Sequence, residues 1–452
     1  MEIVADLHLH SRYSRAVSPQ MTILNMAKWA KIKGIDLLGT GDFTHPQWLG
    51  EIKESLEEKN GVMELRGDRG KMGESGVNTK FLLTAEISSI YKQGGKCRKI
   101  HNIVIAPSIE AVEKINSELK KRGCNLSSDG RPIIGLSAKD LAELVFSADK
   151  NCLFIPAHIW TPWFSLFGEK SGFDSIEECF GEYDKYIYAV ETGLSSDPQM
   201  NWQVADLDNR SIVSFSDAHS LGKLGREATV LEIENWSYGD FSGVIKGNKG
   251  IKYTIEFYPE EGKYHYSGHR NCGIVWSPEQ TAKKGLGCPV CGKPLTMGVA
   301  ERVGKLGESG RSEKSGKEEC DDFGVKWTKE DGRTPFVRLV PLMEIIAQTL
   351  NVGVSSQKVE KEYEKLTEKL GSEIGILTKI KVGEIKEIGG EKLAEAVLKV
   401  RKGDIFIEPG YDGVFGVVKV GPPSSGSAGF RKGKNEGGGG GKKEKKEQMG
   451  LF

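Results

Sequence analysis

The strongest constraint on how this chain folds is a repeated ending. Up to about residue 240, short apolar runs close again and again on an acid or a histidine: EIVADLHLH, GIDLLGTGDFTH, KFLLTAEIS, KIHNIVIA, NCLFIPAHIW, YIYAVETG and RSIVSFSDAH. Helical segments lie between several of them. MTILNMAKWAKIKG is one, and IEAVEKINSELKKRG another, with apolar residues at helical spacing and a glycine stop. Strands alternating with helices predict a parallel sheet with helices packed outside it. About seven such strands predict a closed or nearly closed barrel, in which reactive groups gather at the carboxyl ends of the strands.

Those ends hold the chemistry. In DLHLH, Asp6, His8 and His10 project to one face of an extended strand, because successive side chains alternate sides. Six of the eight histidines, His8, His10, His45, His101, His158 and His219, lie at or next to strand ends. Asp42, Glu86, Glu191 and Asp217 occupy equivalent places. Imidazoles mixed with carboxylates suit Zn, Mn or Fe, and carboxylates can bridge more than one ion. Clustered ions stabilise the attacking and leaving oxygens of a phosphoryl transfer, so phosphoester hydrolysis is the natural chemistry.

The remaining sequence adds a second metal motif. His269-x-x-Cys272 and Cys288-x-x-Cys291 are knuckles, each followed by glycine and separated by fifteen residues. Four ligands with no open position make a structural zinc site. Lys263, Tyr264, Tyr266, Arg270, Lys283, Lys284 and Lys293 surround it, a basic surface with aromatics that can grip phosphates and stack bases. Overall charge is balanced, 63 basic against 63 acidic residues, so any nucleic-acid contact must use a local patch of this kind. No apolar run approaches the ~20 residues that cross a bilayer, and Met1-Glu2 leads straight into strand-like sequence. A cytoplasmic protein without membrane contact is expected. The expected order is a barrel over 1–245, a zinc-binding module over 259–304, a solvated linker or insertion over 305–334, a mostly helical domain with a terminal hairpin over 335–420, and a tail over 421–452. The Gly-rich polar stretch that begins at Lys59 is expected as a loop.

DLHLHSRYS, TGDFTH, AEIS, PAH and SDAH resemble the motifs of the PHP (polymerase and histidinol phosphatase) metallophosphoesterases, whose fold is a distorted seven-stranded α/β barrel. The resemblance implies that His8, His10, Glu86 and Asp217 form one metal position. Glu86 would bridge to a second ion on His101 and His158, with His219 serving a third. Many members have Asp-His where this chain reads GDFTH, so the ligand there is Asp42 or the displaced His45. Arg15 stands where many carry a further histidine. Two or three divalent ions (Zn, Mn or Mg) are implied, with Asp217, His219, Glu86 and Arg15 as the catalytic group.

The whole layout, with CPVCGKPLTMGVAERV, PFVRLVPLMEIIAQTL, LGSEIGIL, IGGEKLAEAVLKVR and EPGYDGVFGVVKV after the barrel, resembles the endonuclease Q family up to about residue 420. That resemblance implies DNA-repair cleavage 5′ of a deaminated base (uracil, hypoxanthine, xanthine) or an abasic site. A phosphatase or 3′-exonuclease of the PHP type, or a lesion-binding adaptor without catalysis, are the rival readings. The chain has no G-x-x-x-x-G-K-[ST] loop, so ATP-driven unwinding is unsupported. The terminal QMGLF resembles a shortened docking peptide for the sliding clamp PCNA, with Gln448, Leu451 and Phe452 as anchors.

Overall fold

The computed structural model describes residues 1–67, 78–307 and 316–421. It is a mixed α/β protein with one large sheet and many helices. Strand Glu2–Asp6 pairs in parallel with Leu37–Gly39, which pairs in parallel with Lys80–Gln93. Ala189–Glu191 and Ser211–Val213 form a separate parallel pair. Ile133–Ile134 beside Lys80–Gln93 and Phe336–Arg338 beside Ile251–Glu256 are parallel too, but the other pairings are antiparallel, which departs from the parallel sheet expected. Lys80–Gln93 runs into Lys96–Ala106 as one long hairpin, and Lys96–Ala106 continues antiparallel to Leu153–Pro156. The reason is local: Gly94 and Gly95 have φ of 60° and 74°, which only a tight hairpin turn requires and glycine supplies without steric cost.

Two seams bring the separate pair against the large sheet. The Ile159 amide donates to the Glu191 carbonyl (3.1 Å), and the Ser214 amide donates to Thr229 Oγ1 (2.9 Å). Asp6, expected on the ligand face, is instead a brace, accepting from the amides of Ser216 and Gly225, both at 2.9 Å. It ties the first strand to the loop that carries Asp217. Helix Ile23–Lys33 starts at a Thr22 cap and stops at left-handed Gly34, and Ile109–Lys121 buries Ala111, Val112, Ile115 and Leu119 on one face.

Two stretches expected as loop or linker contain strands. Leu56–Lys59 pairs with Val62–Leu65. Within 305–334, Lys317–Cys320 pairs with Lys326–Lys329, which joins Phe336–Arg338 and so lengthens the large sheet. Both carry the lysines and glutamates with which natural sheets blunt an exposed edge, and such composition reads as solvated chain.

Five helices follow, Leu342–Leu350, Gln357–Leu370, Glu373–Thr378, Val382–Gly389 and Glu391–Lys402, and then strands Phe406–Glu408 and Val417–Lys419 pair antiparallel. Buried Glu373 locks this unit to the first helix. It accepts from the Leu342 amide (3.0 Å) and Tyr363 Oη (2.6 Å) and pairs with Lys33 Nζ (2.6 Å). Among the described residues no helix is long and apolar enough to cross a membrane. Gln448, Leu451 and Phe452 lie outside the described residues.

Candidate metal centre and its cavity

Glu86 is the hub of the candidate centre. It sits on strand Lys80–Gln93, almost fully buried, and its two carboxylate oxygens face two different groups of side chains. Oε2 lies 3.2 Å from His10 Nε2 and 3.6 Å from His8 Nε2, and the same imidazole nitrogens lie 3.2 and 3.7 Å from Asp217 Oδ1. Oε1 lies 2.5 Å from His101 Nδ1 and 3.0 Å from His158 Nε2. Two ligand triads result, His8–His10–Asp217 and Glu86–His101–His158, with Glu86 between them.

A second layer fixes the ring orientations. His8 Nδ1 meets the Glu191 carboxylate at 2.9 and 3.0 Å, and Glu191 also accepts the His158 amide (2.7 Å). His10 Nδ1 meets Asp42 Oδ1 (3.0 Å), while Asp42 Oδ2 accepts from the Ser11 amide and from the hydroxyls of Ser11 and Ser14. Carboxylates behind ligand imidazoles set the tautomer so that Nε2 faces inward as a lone pair. Asp42 and Glu191, counted among ligands from their strand-end positions, therefore occupy supporting places. Gly130 is required at this spot, since a Cβ there would lie 2.3 Å from Asp42 Oδ2.

The donor set fits divalent ions. His8 Nε2, His10 Nε2 and both Asp217 carboxylate oxygens are buried with no hydrogen-bond partner. Each such atom costs about 1–3 kcal/mol unless something else satisfies it. Burial opposes charge on His8, yet the carboxylates of Glu191, Asp217 and Glu86 overcome it and hold its pKa well above the imidazole range. A field that favours a proton there favours a cation equally. On the other side burial pushes His101 down to about 4, against the pull of Glu86, which keeps its imidazole neutral and available as a ligand. Asp42, His158 and Asp217 hold φ of 49°, 31° and 46°, the left-handed region that side chains other than glycine rarely adopt. Backbone tension of this kind gathers at functional sites.

Not every expected residue joins the centre. His45 caps helix Pro46–Ser55, its Nδ1 accepting the Trp48 amide, its Nε2 3.3 Å from the Ser127 carbonyl and its ring stacked 4.5 Å from Tyr13. Arg15, expected in the catalytic group, projects outward and pairs with Asp129 (3.4 Å). His219 stands at the edge, with Nδ1 2.9 Å from the Asp217 carbonyl and its ring 4.7 Å from that of His10. Sequence reading missed Arg131, whose Nη1 donates to Glu86 Oε2 (3.1 Å). Its only signal was a turn, SSDGRPI, before the short strand Ile133–Ile134 that pairs alongside Glu86's own strand.

Beside His219 opens a cavity of about 370 Å³. Lys223, Arg226 and Lys263 supply positive charge to its wall, Glu261 and Glu344 negative charge, and Tyr264 and Phe415 aromatic surface. Burial and the nearby Glu344 push the Glu261 carboxyl up to about 7. Arg226 donates to the carbonyls of Ser216 (2.9 Å) and Asp217 (3.4 Å), so the cavity wall and the centre share one loop.

The four knuckle residues converge as well. Ligand atoms of His269, Cys272, Cys288 and Cys291 lie within 4.8 Å of one another. Gly273 and Gly292, the residues after the second ligand of each knuckle, have φ of 64° and 72°. Burial raises the Cys288 thiol pKa, but the amides of Cys291 and Val290 outweigh it and lower the value to about 6, so the thiolate is favoured.

Comparison with known proteins places this geometry. Residues 341–404 match the family described as the MJ0043 C-terminal domain. The chain is 33% identical over 271 residues to the uncharacterized protein MJ0043 of Methanocaldococcus jannaschii, which takes in 58% of this chain and only 31% of that protein's length. It is 28% identical over 432 residues to the uncharacterized protein YqxK of Bacillus subtilis, covering 92% of this chain and 99% of that one. The crystal structure of the lesion-specific endonuclease PfuEndoQ from Pyrococcus furiosus superposes with a TM-score of 0.77 at 29% identity, covering 93% of this chain and 96% of that chain. An endonuclease Q complex with a 27-mer duplex substrate, with an abasic lesion at the active site, gives 0.77 at 30% identity, covering 93% and 97%. Sequence and fold agree over nearly the whole of both chains, and this chain belongs to the endonuclease Q family.

Proposed function

We propose that this protein is a metal-dependent DNA-repair endonuclease that cuts the phosphodiester 5′ of a lesion, with uracil, hypoxanthine, xanthine and abasic sites as its lesions. The observation that carries this reading is the pair of adjoining buried triads, with Glu86 of one facing the other, beside a cavity large enough for a nucleobase. Divalent ions held by His8, His10, Asp217, Glu86, His101 and His158, with His219 at the edge, supply the Lewis acidity that phosphodiester hydrolysis at neutral pH requires.

The chain's own groups do the remaining work. Asp42 and Glu191 hold the imidazoles of His10 and His8 in the ligating tautomer. Arg131, charged beside Glu86, stands where it meets a phosphate oxygen brought to the centre. Lys223, Arg226 and Lys263 line the route and attract the backbone. The ligand side chains are only 0–4% exposed, so an intact duplex does not reach them and the damaged nucleotide must leave the stack, which weaker pairing at a lesion eases. The cavity beside His219 receives it. His269, Cys272, Cys288 and Cys291 hold a structural zinc, a closed set with no open position. The terminal Gln448, Leu451 and Phe452 dock the enzyme on the sliding clamp PCNA.

The test is to incubate the protein with Zn, Mn or Mg and duplexes bearing one uracil, hypoxanthine, xanthine or abasic site, and to map the cut. A nick 5′ of the lesion with 3′-hydroxyl and 5′-phosphate ends is expected. Release of phosphate from p-nitrophenyl phosphate without any nick would make the protein a phosphatase, stepwise loss from 3′ ends an exonuclease, and lesion binding without hydrolysis an adaptor.

A further inference from the structure

The cavity has an apolar lip that the chemistry at the metal centre does not use. Strands Phe406–Glu408 and Val417–Lys419 carry between them a loop ending in Val414 and Phe415, which are 40% and 59% exposed. Phe415 lines the same cavity as His219. An exposed aromatic beside an exposed aliphatic leaves apolar surface in water, and rims of functional sites are where such pairs persist.

The loop is built to stay in place. Asp412 and Gly413 have φ of 43° and 84°, and Tyr411 and Val414 exchange backbone bonds of 3.0 and 2.8 Å around them, a two-residue turn of the hairpin kind. Asp412 accepts from the Arg270 amide (2.8 Å) and Thr296 Oγ1 (2.6 Å), both close to the knuckles. The amides of Gly410, Gly413 and Gly416 donate to the carbonyls of Glu260, Lys263 and Glu261. The Lys263 ammonium lies 4.5 Å from the centre of the Phe415 ring, placing a phosphate-seeking charge next to the apolar tip. A rigid, apolar, two-residue projection flanked by cations is suited to a base stack and its phosphates, because stacking needs a flat face held still.

Extruding a nucleotide leaves a gap in the duplex, and the lost stacking goes uncompensated unless protein fills the space. We propose that Val414 and Phe415 are a wedge that enters the base stack at the lesion and fills the gap left by the extruded nucleotide, holding it in the cavity beside His219. This proposal rests on the endonuclease reading above.

The test compares Phe415→Ala, Phe415→Leu and the unmodified protein on one lesion in two settings: uracil paired with guanine in a duplex, and the same uracil in an unpaired bubble. Phe415→Ala should lose roughly 10- to 100-fold in kcat/KM on the duplex, the scale of one lost stacking contact, and several-fold less on the bubble, where it forfeits only its contact with the base in the cavity and no stack has to be opened. Phe415→Leu should retain most of the duplex activity. A second readout uses 2-aminopurine next to the lesion with nicking disabled by Asp217→Ala. Its fluorescence should rise on binding when Phe415 is present and much less when it is alanine. Equal losses on duplex and bubble would overturn the wedge and make Phe415 a wall of the base cavity, and no loss on either would overturn it outright. Unmodified protein that cuts neither substrate would overturn the endonuclease reading, and the wedge with it.

Discussion

The two ligand clusters are assembled in opposite ways. The imidazole and carboxylate centre gathers His8, Glu86, His158 and Asp217 from strands and loops spread over more than two hundred residues, and depends on a second layer in which Glu191 and Asp42 orient the rings. The thiol cluster is made by two short knuckles, and its geometry comes from glycines one residue away. The first keeps a cavity at its side and has ligand atoms left over; the second has four ligands and nowhere for a substrate. Chemistry requires the fold to hold an incomplete coordination shell, whereas a staple requires only a closed one.

The largest effect should come from breaking the first cluster. Asp217→Ala or His101→Ala is expected to abolish nicking while binding to lesion DNA, measured by anisotropy, stays within a few fold. A variant that still nicks at the unmodified rate would remove the assignment. Next come the supports: Asp42→Asn should lower metal affinity or kcat roughly 10- to 100-fold, whereas His45→Ala, which strips a helix cap, should leave kcat within about twofold and cost about 1 kcal/mol of stability. Equal kinetic losses at the two positions would put His45 back among the ligands. Cys288→Ser should remove one equivalent of zinc and lower Tm by roughly 5 °C, with nicking retained below the new transition; unchanged zinc content and Tm would deny the staple.

A smaller effect sharpens the contrast between buried acids. Burial opposes ionisation of Glu86, but His101, Arg131 and His8 hold its carboxyl well below the usual range. Glu256 and Glu227, also fully buried, have weaker company, the hydroxyls of Ser214 and Thr254 for Glu256 and Arg226 for Glu227, and burial wins. Their strands pair at Ala228 and Ile255, which sets the two acids opposite each other. Burial, with Asp197 nearby, pushes Glu256 up to about 8, and burial with Glu256 and Glu191 pushes Glu227 well above its ordinary range. The folded chain thus binds these protons more tightly than the unfolded one. That contribution to stability is complete below about pH 4.5 and is lost as pH rises through about 8. Tm should fall between pH 7 and 9, at a slope on the order of 1 kcal/mol per pH unit, and Glu256→Gln should flatten the slope. An unaltered slope in that variant would mean that the pair carries no extra proton. The smallest effect belongs to the tail: deleting residues 448–452 should leave nicking of free oligonucleotides intact and weaken clamp binding, and equal clamp affinity would reject the docking peptide.

Much of this centre was legible because strand ends announce themselves. His8, His10, Glu86, His158 and Asp217 follow apolar runs and His101 precedes one, and the structure brings all six together, Glu86 and His101 from the middle of long strands rather than from their ends. What sequence could not give was depth. Asp42 and Glu191 end their runs in the same way as Glu86, yet backbone geometry sets them one shell back, against ring nitrogens. Arg131 was invisible because it ends no run, arriving through a turn beside Glu86 only once the sheet has formed. The edge strands Lys317–Cys320 and Lys326–Lys329 were hidden for the opposite reason, since the charges that keep an edge soluble look like those of a linker.

The left-handed backbone at Asp42, His158 and Asp217 has a consequence for how such a chain can change. Each position holds a conformation that costs about 1–3 kcal/mol when a side chain is present, so the centre is maintained against the fold's own preference. Substitutions there that relax the backbone would be rewarded with thermal stability at the expense of turnover. A descendant with no need of this centre would be expected to grow sturdier first at those three positions, and to keep the closed thiol and imidazole cluster long after the centre had lost its ligands.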